Sequence, residues 1–100
     1  MKNYKNEINI NEGLKMLVFS TSWCPDCLYL NNFINEIEKE HQKYEFIYID
    51  ADEYADLANT YEILGIPSFI ALNNGEILGT LISKERKTKE IINNWILQID

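Results

Sequence analysis

Residues 16–27 read Met-Leu-Val-Phe-Ser-Thr-Ser-Trp-Cys-Pro-Asp-Cys, and the rest of the chain is placed by reading outward from them. Met16-Leu17-Val18-Phe19 is a continuous apolar run that ends in the polar Ser20-Thr21-Ser22, the pattern of a short buried strand. Beyond the cysteines, Leu30, Phe33, Ile34, Ile37 and His41 recur at three and four residues, as on one face of a helix reaching about His41. Cys24 and Cys27 therefore sit where a strand gives way to a helix. Pro25 suits the first helical turn, where its missing N–H costs nothing, and Asp26 suits the positive end of the helix dipole.

This placement is what thiol redox chemistry requires. Unpaired backbone N–H groups at a helix start favour a thiolate, so Cys24 is the expected nucleophile. Cys27, about one turn further on, can attack the resulting mixed disulfide and release the product. A C-x-x-C pair is also half of a zinc site, or two small apolar side chains packed inside. Zinc needs two further ligands, whereas the chain has no third cysteine and only one histidine, His41. On a continuous helix that histidine lies on the order of 25 Å from Cys24, which also excludes a Cys–His hydrolase pair. The expectation is a redox dithiol with no metal and no cofactor.

One hundred residues suffice for one domain with a single sheet and two covering layers, so residues 1–100 are read as one domain. A formal net charge of −7, from 16 acids against nine bases, argues against nucleic acid and anionic membrane surfaces as partners. No apolar run approaches the roughly 18 residues of a membrane span. Met1-Lys2-Asn3-Tyr4-Lys5-Asn6-Glu7 lacks the apolar core of a secretory signal, so the expected location is cytoplasmic. Thiols are kept reduced there, and a close cysteine pair is more often catalytic than structural.

Along the rest of the chain, Glu7–Gly13 reads as a short helix with Ile8 inward, and no strand is expected before Lys15. Tyr44–Asp50, dense in aromatic and β-branched residues, reads as a central strand. Asp52 is the expected N-cap of a short helix carrying Leu57, Ala58 and Tyr61, which Gly65 ends. Ser68–Leu72 and Glu76–Ile82 read as strands joined by Asn73-Asn74-Gly75, a type I′ hairpin signal. A last helix from about Lys87, with Thr88 near its start, turns Ile91, Ile92, Trp95, Ile96 and Ile99 to one side. The order implies an α/β fold with parallel strands, right-handed crossovers and an antiparallel edge.

At this point the sequence resembles the thioredoxin family over residues 15–99. The resemblance rests on Trp23-Cys24-Pro25-Asp26-Cys27 after a strand, Tyr48-Ile49-Asp50 closing the next, Gly65-Ile66-Pro67-Ser68-Phe69, and Asn74-Gly75-Glu76. It implies a thioredoxin-like fold with a mixed four-stranded sheet flanked by helices, the family's first strand being absent. It further implies a cis Pro67, Ile66 as a substrate-docking residue, and Trp23 flanking the substrate groove. The implied activity is reduction of protein or small-molecule disulfides by a monomer, with electrons from a flavin-dependent NADPH thioredoxin reductase. A glutaredoxin-like reductase drawing on glutathione, and a binding module presenting the Trp23/Ile66 surface, are the other readings. The chain departs from the family in its Pro-Asp spacer and in Val18 and Phe46, which stand where many thioredoxins carry a buried Asp and its Lys partner. Asp26 is then a substitute proton acceptor for Cys27, a charge that disfavours thiolate, or only a helix-start acid.

Overall fold

A computed structural model describes residues 1–100, with elements β1 (Lys2–Asn3), β2 (Leu14–Ser20), α1 (Pro25–Leu30), α2 (Ile34–Glu40), β3 (Glu45–Asp50), α3 (Ala55–Thr60), β4 (Ser68–Asn73), β5 (Glu76–Leu81) and α4 (Lys89–Ile99). They form one mixed sheet in the order β1-β3-β2-β4-β5. β2 is central because it is apolar on both sides. Met16 and Val18 join the core under α1, α2 and α4, while Leu17 and Phe19 join the opposite core under α3. β3 lies parallel to β2 (Val18 opposite Tyr48), and β4 lies antiparallel to it (Val18 opposite Phe69). The antiparallel part of the sheet thus begins one strand before the hairpin. In that hairpin Asn74 and Gly75 take φ of 50° and 87°, the two positive angles that the Asn-Gly reading requires.

Several expectations are corrected. The sheet has five strands, not four: Lys2 and Asn3 pair with Ile47 and Tyr48 of β3. So short a pairing leaves no periodic signal in the sequence. Residues 7–13 form successive turns rather than a helix, which suits the poor helix propensity of Asn6, Asn9 and Asn11. Ile8 is nevertheless partly buried and Ile10 wholly so. The helix after the cysteines is interrupted at residues 31–33. Asn32 and Phe33 donate to the carbonyls three residues back, a tightened turn, and Phe33 then leaves helical geometry at φ −141° and ψ 2°.

The turn before α3 is held by Asp50, whose Oδ1 accepts from the backbone N–H groups of Asp52 and Glu53 at 2.9 and 3.1 Å. Asp52 is not the cap. That helix ends on Glu62 at φ 55°, where the N–H groups of Glu62 and Ile63 donate to the carbonyls of Asn59 and Ala58, so Gly65 lies past its end. On α4, Thr88 caps as expected by accepting from the Ile91 N–H at 3.2 Å. Ile92, Trp95 and Ile96 are buried, but Ile91 faces solvent.

Candidate active site

The β2 strand delivers the site. After Ser20 the chain leaves the sheet, and Cys24 becomes the residue capping α1, with Pro25 in its first turn. Both cysteines are free thiols. Cys24 is half-buried, whereas Cys27, on the inward face of the helix, is wholly buried. The Ile66–Pro67 peptide is cis, as the resemblance implies, and the Ile66 carbonyl oxygen lies 4.0 Å from Cys24 Sγ. Trp23 is the largest exposed aromatic surface beside the thiols, 64% accessible. Its indole N–H donates to Asp52 Oδ2 at 2.7 Å, which fixes the ring over the mouth of the site. A cleft of about 290 Å³ lined by Asp52, Leu64, Gly65 and Ile66 continues from there. Trp23, Cys24, Pro25, Asp26, Cys27, Ile66 and Pro67 therefore belong to one locality.

Sequence reasoning missed the loop between β5 and α4, which crosses this locality from the other side. Arg86 Nε donates to Asp26 Oδ1 at 2.8 Å, and the guanidinium lies 4.4 Å from the centre of the Tyr29 ring. Lys87 is buried, its Nζ donating to the carbonyls of Ser83 and Glu85 at 2.6 and 3.0 Å. Gly65 packs so tightly on this loop that a Cβ there would lie 2.4 Å from the Ser83 carbonyl oxygen. No local pattern marks these residues, because only the folded chain brings residues 83–87 back to residue 26. His41 is absorbed elsewhere, its Nε2–H donating to Asn93 Oδ1 at 2.9 Å. No group of three His, Cys, Asp or Glu is placed to hold a metal.

Burial pushes the Cys27 thiol above its ordinary 9.0, and the neighbouring Cys24 adds to this; the Ser20 hydroxyl and the Thr21 backbone N–H partly offset it. Val18 and Phe46 are both fully enclosed, so neither of these two positions supplies a carboxylate to Cys27. A raised folded pKa means that the thiol stabilises the reduced fold below its unfolded pKa and loses that contribution as pH rises through the folded value. The stability advantage of the reduced wild type over Cys27→Ala should therefore shrink as pH rises above about 8.5, the pKa of an unfolded cysteine, as read by urea unfolding. A gap that stays constant or widens would contradict the burial argument.

The thioredoxin family profile matches residues 1–98. The chain belongs to the thioredoxin family. Among curated thioredoxins it is 31% identical to thioredoxin H3 of Arabidopsis thaliana over 86 residues, 84% of this chain and 71% of that protein. It is 29% identical to the mitochondrial thioredoxin-2 of Schizosaccharomyces pombe over 70 residues, 70% of this chain but 53% of that one. Among solved structures, a poplar thioredoxin h superposes with a TM-score of 0.76 at 25% identity, covering 89% of this chain and 78% of its own. The thioredoxin fold and a C-x-x-C pair at its active-site turn are thus both present, and the class of chemistry that goes with the family is thiol–disulfide oxidoreduction. No helix of this thioredoxin is long and apolar enough to cross a membrane.

Proposed function

We propose that this thioredoxin reduces disulfide bonds in proteins, with Cys24 as nucleophile and Cys27 as resolving thiol. The observation that carries the assignment is the difference in access: Cys24 is half-buried at the rim, and Cys27 is wholly enclosed behind it. A substrate disulfide can meet only the first. The Cys24 thiolate attacks one substrate sulfur, forming a mixed disulfide and expelling the other sulfur as a thiolate, which takes up a proton. The Cys27 thiolate then attacks Cys24 Sγ, the second substrate sulfur leaves, and the Cys24–Cys27 disulfide remains. Two electrons have passed to the substrate. The Ile66 backbone, next to Cys24, docks the substrate chain, and the Trp23 ring held by Asp52 bounds the groove. Pro25 rigidifies the turn, and Asp26 ties it to Arg86.

The protein works in the cytoplasm as a monomer without a cofactor of its own, re-reduced by a flavin-dependent NADPH thioredoxin reductase. Insulin reduction driven by NADPH and that reductase, compared with reduction driven by glutathione, tests the assignment. Turnover is expected with the first donor and little with the second. Turnover with glutathione alone would move the protein to the glutaredoxin-like reading. No turnover with either would leave the binding-module reading.

A further inference from the structure

We propose that Arg86 is a positioning residue of the first exchange, a cation that offsets the Asp26 carboxylate at the active-site turn and so removes a penalty on negative charge at Cys24. The proposal rests on the reductase reading above, in which Cys24 is the nucleophile. Asp26 lies inside the cysteine pair. It is bonded to Cys27 and stands two residues past Cys24, a Cα span of at most about 7 Å. A carboxylate that close disfavours a thiolate. Its single ion pair is with Arg86, whose Nε donates to Asp26 Oδ1 at 2.8 Å. The same guanidinium lies over the Tyr29 ring, 4.4 Å from its centre.

Asp26 and Tyr29, three residues apart, share one face of α1, and Arg86 engages both. The loop that carries Arg86 is fixed from its other side, where the Ser83 backbone lies against Gly65. The Arg86 side chain is about half exposed, and a pair so open to solvent adds little to stability. Its consequence is electrostatic: opposite charges held together beside the sulfurs largely cancel there, whereas Asp26 alone would not. Lys87, the next residue, also feels Asp26, but its Nζ is held by the Ser83 and Glu85 carbonyls and it is retained in every variant below. In the exchange itself the Cys24 proton goes to solvent, Cys24 Sγ bonds one substrate sulfur, and the other leaves with the electron pair of the broken S–S bond. Arg86 transfers neither proton nor electron.

The test is the rate at which uncharged iodoacetamide alkylates Cys24 of the reduced protein at pH about 6, below the ordinary range of a thiol. Arg86→Gln should slow alkylation about threefold, and Asp26→Asn should speed it by a similar factor, as for single charges roughly 10 Å from the sulfur in a partly solvated site. The double variant, with both charges gone, should return close to the wild-type rate. Arg86→Lys, which keeps the charge, should stay near it too. An Arg86→Gln rate equal to wild type overturns the proposal. So does a double variant or an Arg86→Lys variant as slow as Arg86→Gln, because Arg86 would then act as a mechanical clamp. Should Arg86→Gln not fold, Asp26→Asn decides, and an unchanged or slower rate there overturns the proposal. Alkylation consumes no disulfide. The expected pattern of rates in a protein that reduces no insulin would therefore support the Arg86–Asp26 pair and overturn the reductase reading instead.

Discussion

Cys24→Ser is expected to abolish disulfide reduction, while Cys27→Ser should still attack substrates and stall as a mixed disulfide. The expectation follows from access rather than from the order of the two residues in the motif. In Cys24→Ser the remaining thiol is enclosed by the core and cannot reach a bulky disulfide. In Cys27→Ser the attacking thiol still sits at the rim beside Ile66, but nothing behind it can displace the bound partner. Non-reducing electrophoresis after incubation with a disulfide-bonded protein reads the difference directly. Multiple-turnover rates should fall by three orders of magnitude or so in both variants, yet only Cys27→Ser should accumulate a covalent adduct. Adduct formation by Cys24→Ser instead would reverse the assigned roles.

Gly65→Ala should have the second largest effect, on stability and activity together. The new methyl would meet the Ser83 carbonyl oxygen at 2.4 Å, the Ser83 carbonyl carbon at 2.8 Å and Lys84 Cα at 2.9 Å. All three are backbone atoms, so no side-chain rotation relieves the clash. Either the segment carrying Ile66 and Pro67 moves away from Cys24, or the loop carrying Arg86 and Lys87 moves away from α1. Overpacking of this kind costs about 2–3 kcal/mol, which in a domain of this size lowers Tm by roughly 10–20 °C. Insulin reduction should slow in the same variant at temperatures where it remains folded. A Tm within about two degrees of wild type would show that the two loops part without penalty.

The parts of the molecule legible in the sequence are those that short-range physics determines. The apolar run into the cysteine turn, Pro25 in the first helical turn, Thr88 as a cap and the Asn74-Gly75 hairpin all depend on a few neighbouring residues, and each is found where its pattern places it. The misplacements share a different cause. Asp50 and Asp52 offer the same chemistry two residues apart, and the choice falls to Asp50 because it ends β3 with its carboxylate over the following turn, which leaves Asp52 free to hold Trp23. Glu62 adopts a left-handed backbone conformation that its residue type does not advertise. Arg86 carries no local signal until the chain folds and brings it against Asp26, 60 residues earlier.

The two covers of the sheet differ in thickness. One face lies under α1, α2 and the 11-residue α4, while the other is covered by the six residues of α3 and the turns of residues 5–13. Free energy of opening follows such differences, since a thin layer with few enclosed apolar groups detaches well below the cost of global unfolding. The thinner layer adjoins Asp52, the residue that tethers the Trp23 ring, whereas Cys27 is seated in the thicker one. Fluctuation should therefore be concentrated at the wall of the groove, where differently shaped partners must be admitted, and withheld from the sulfur that has to strike at a fixed distance.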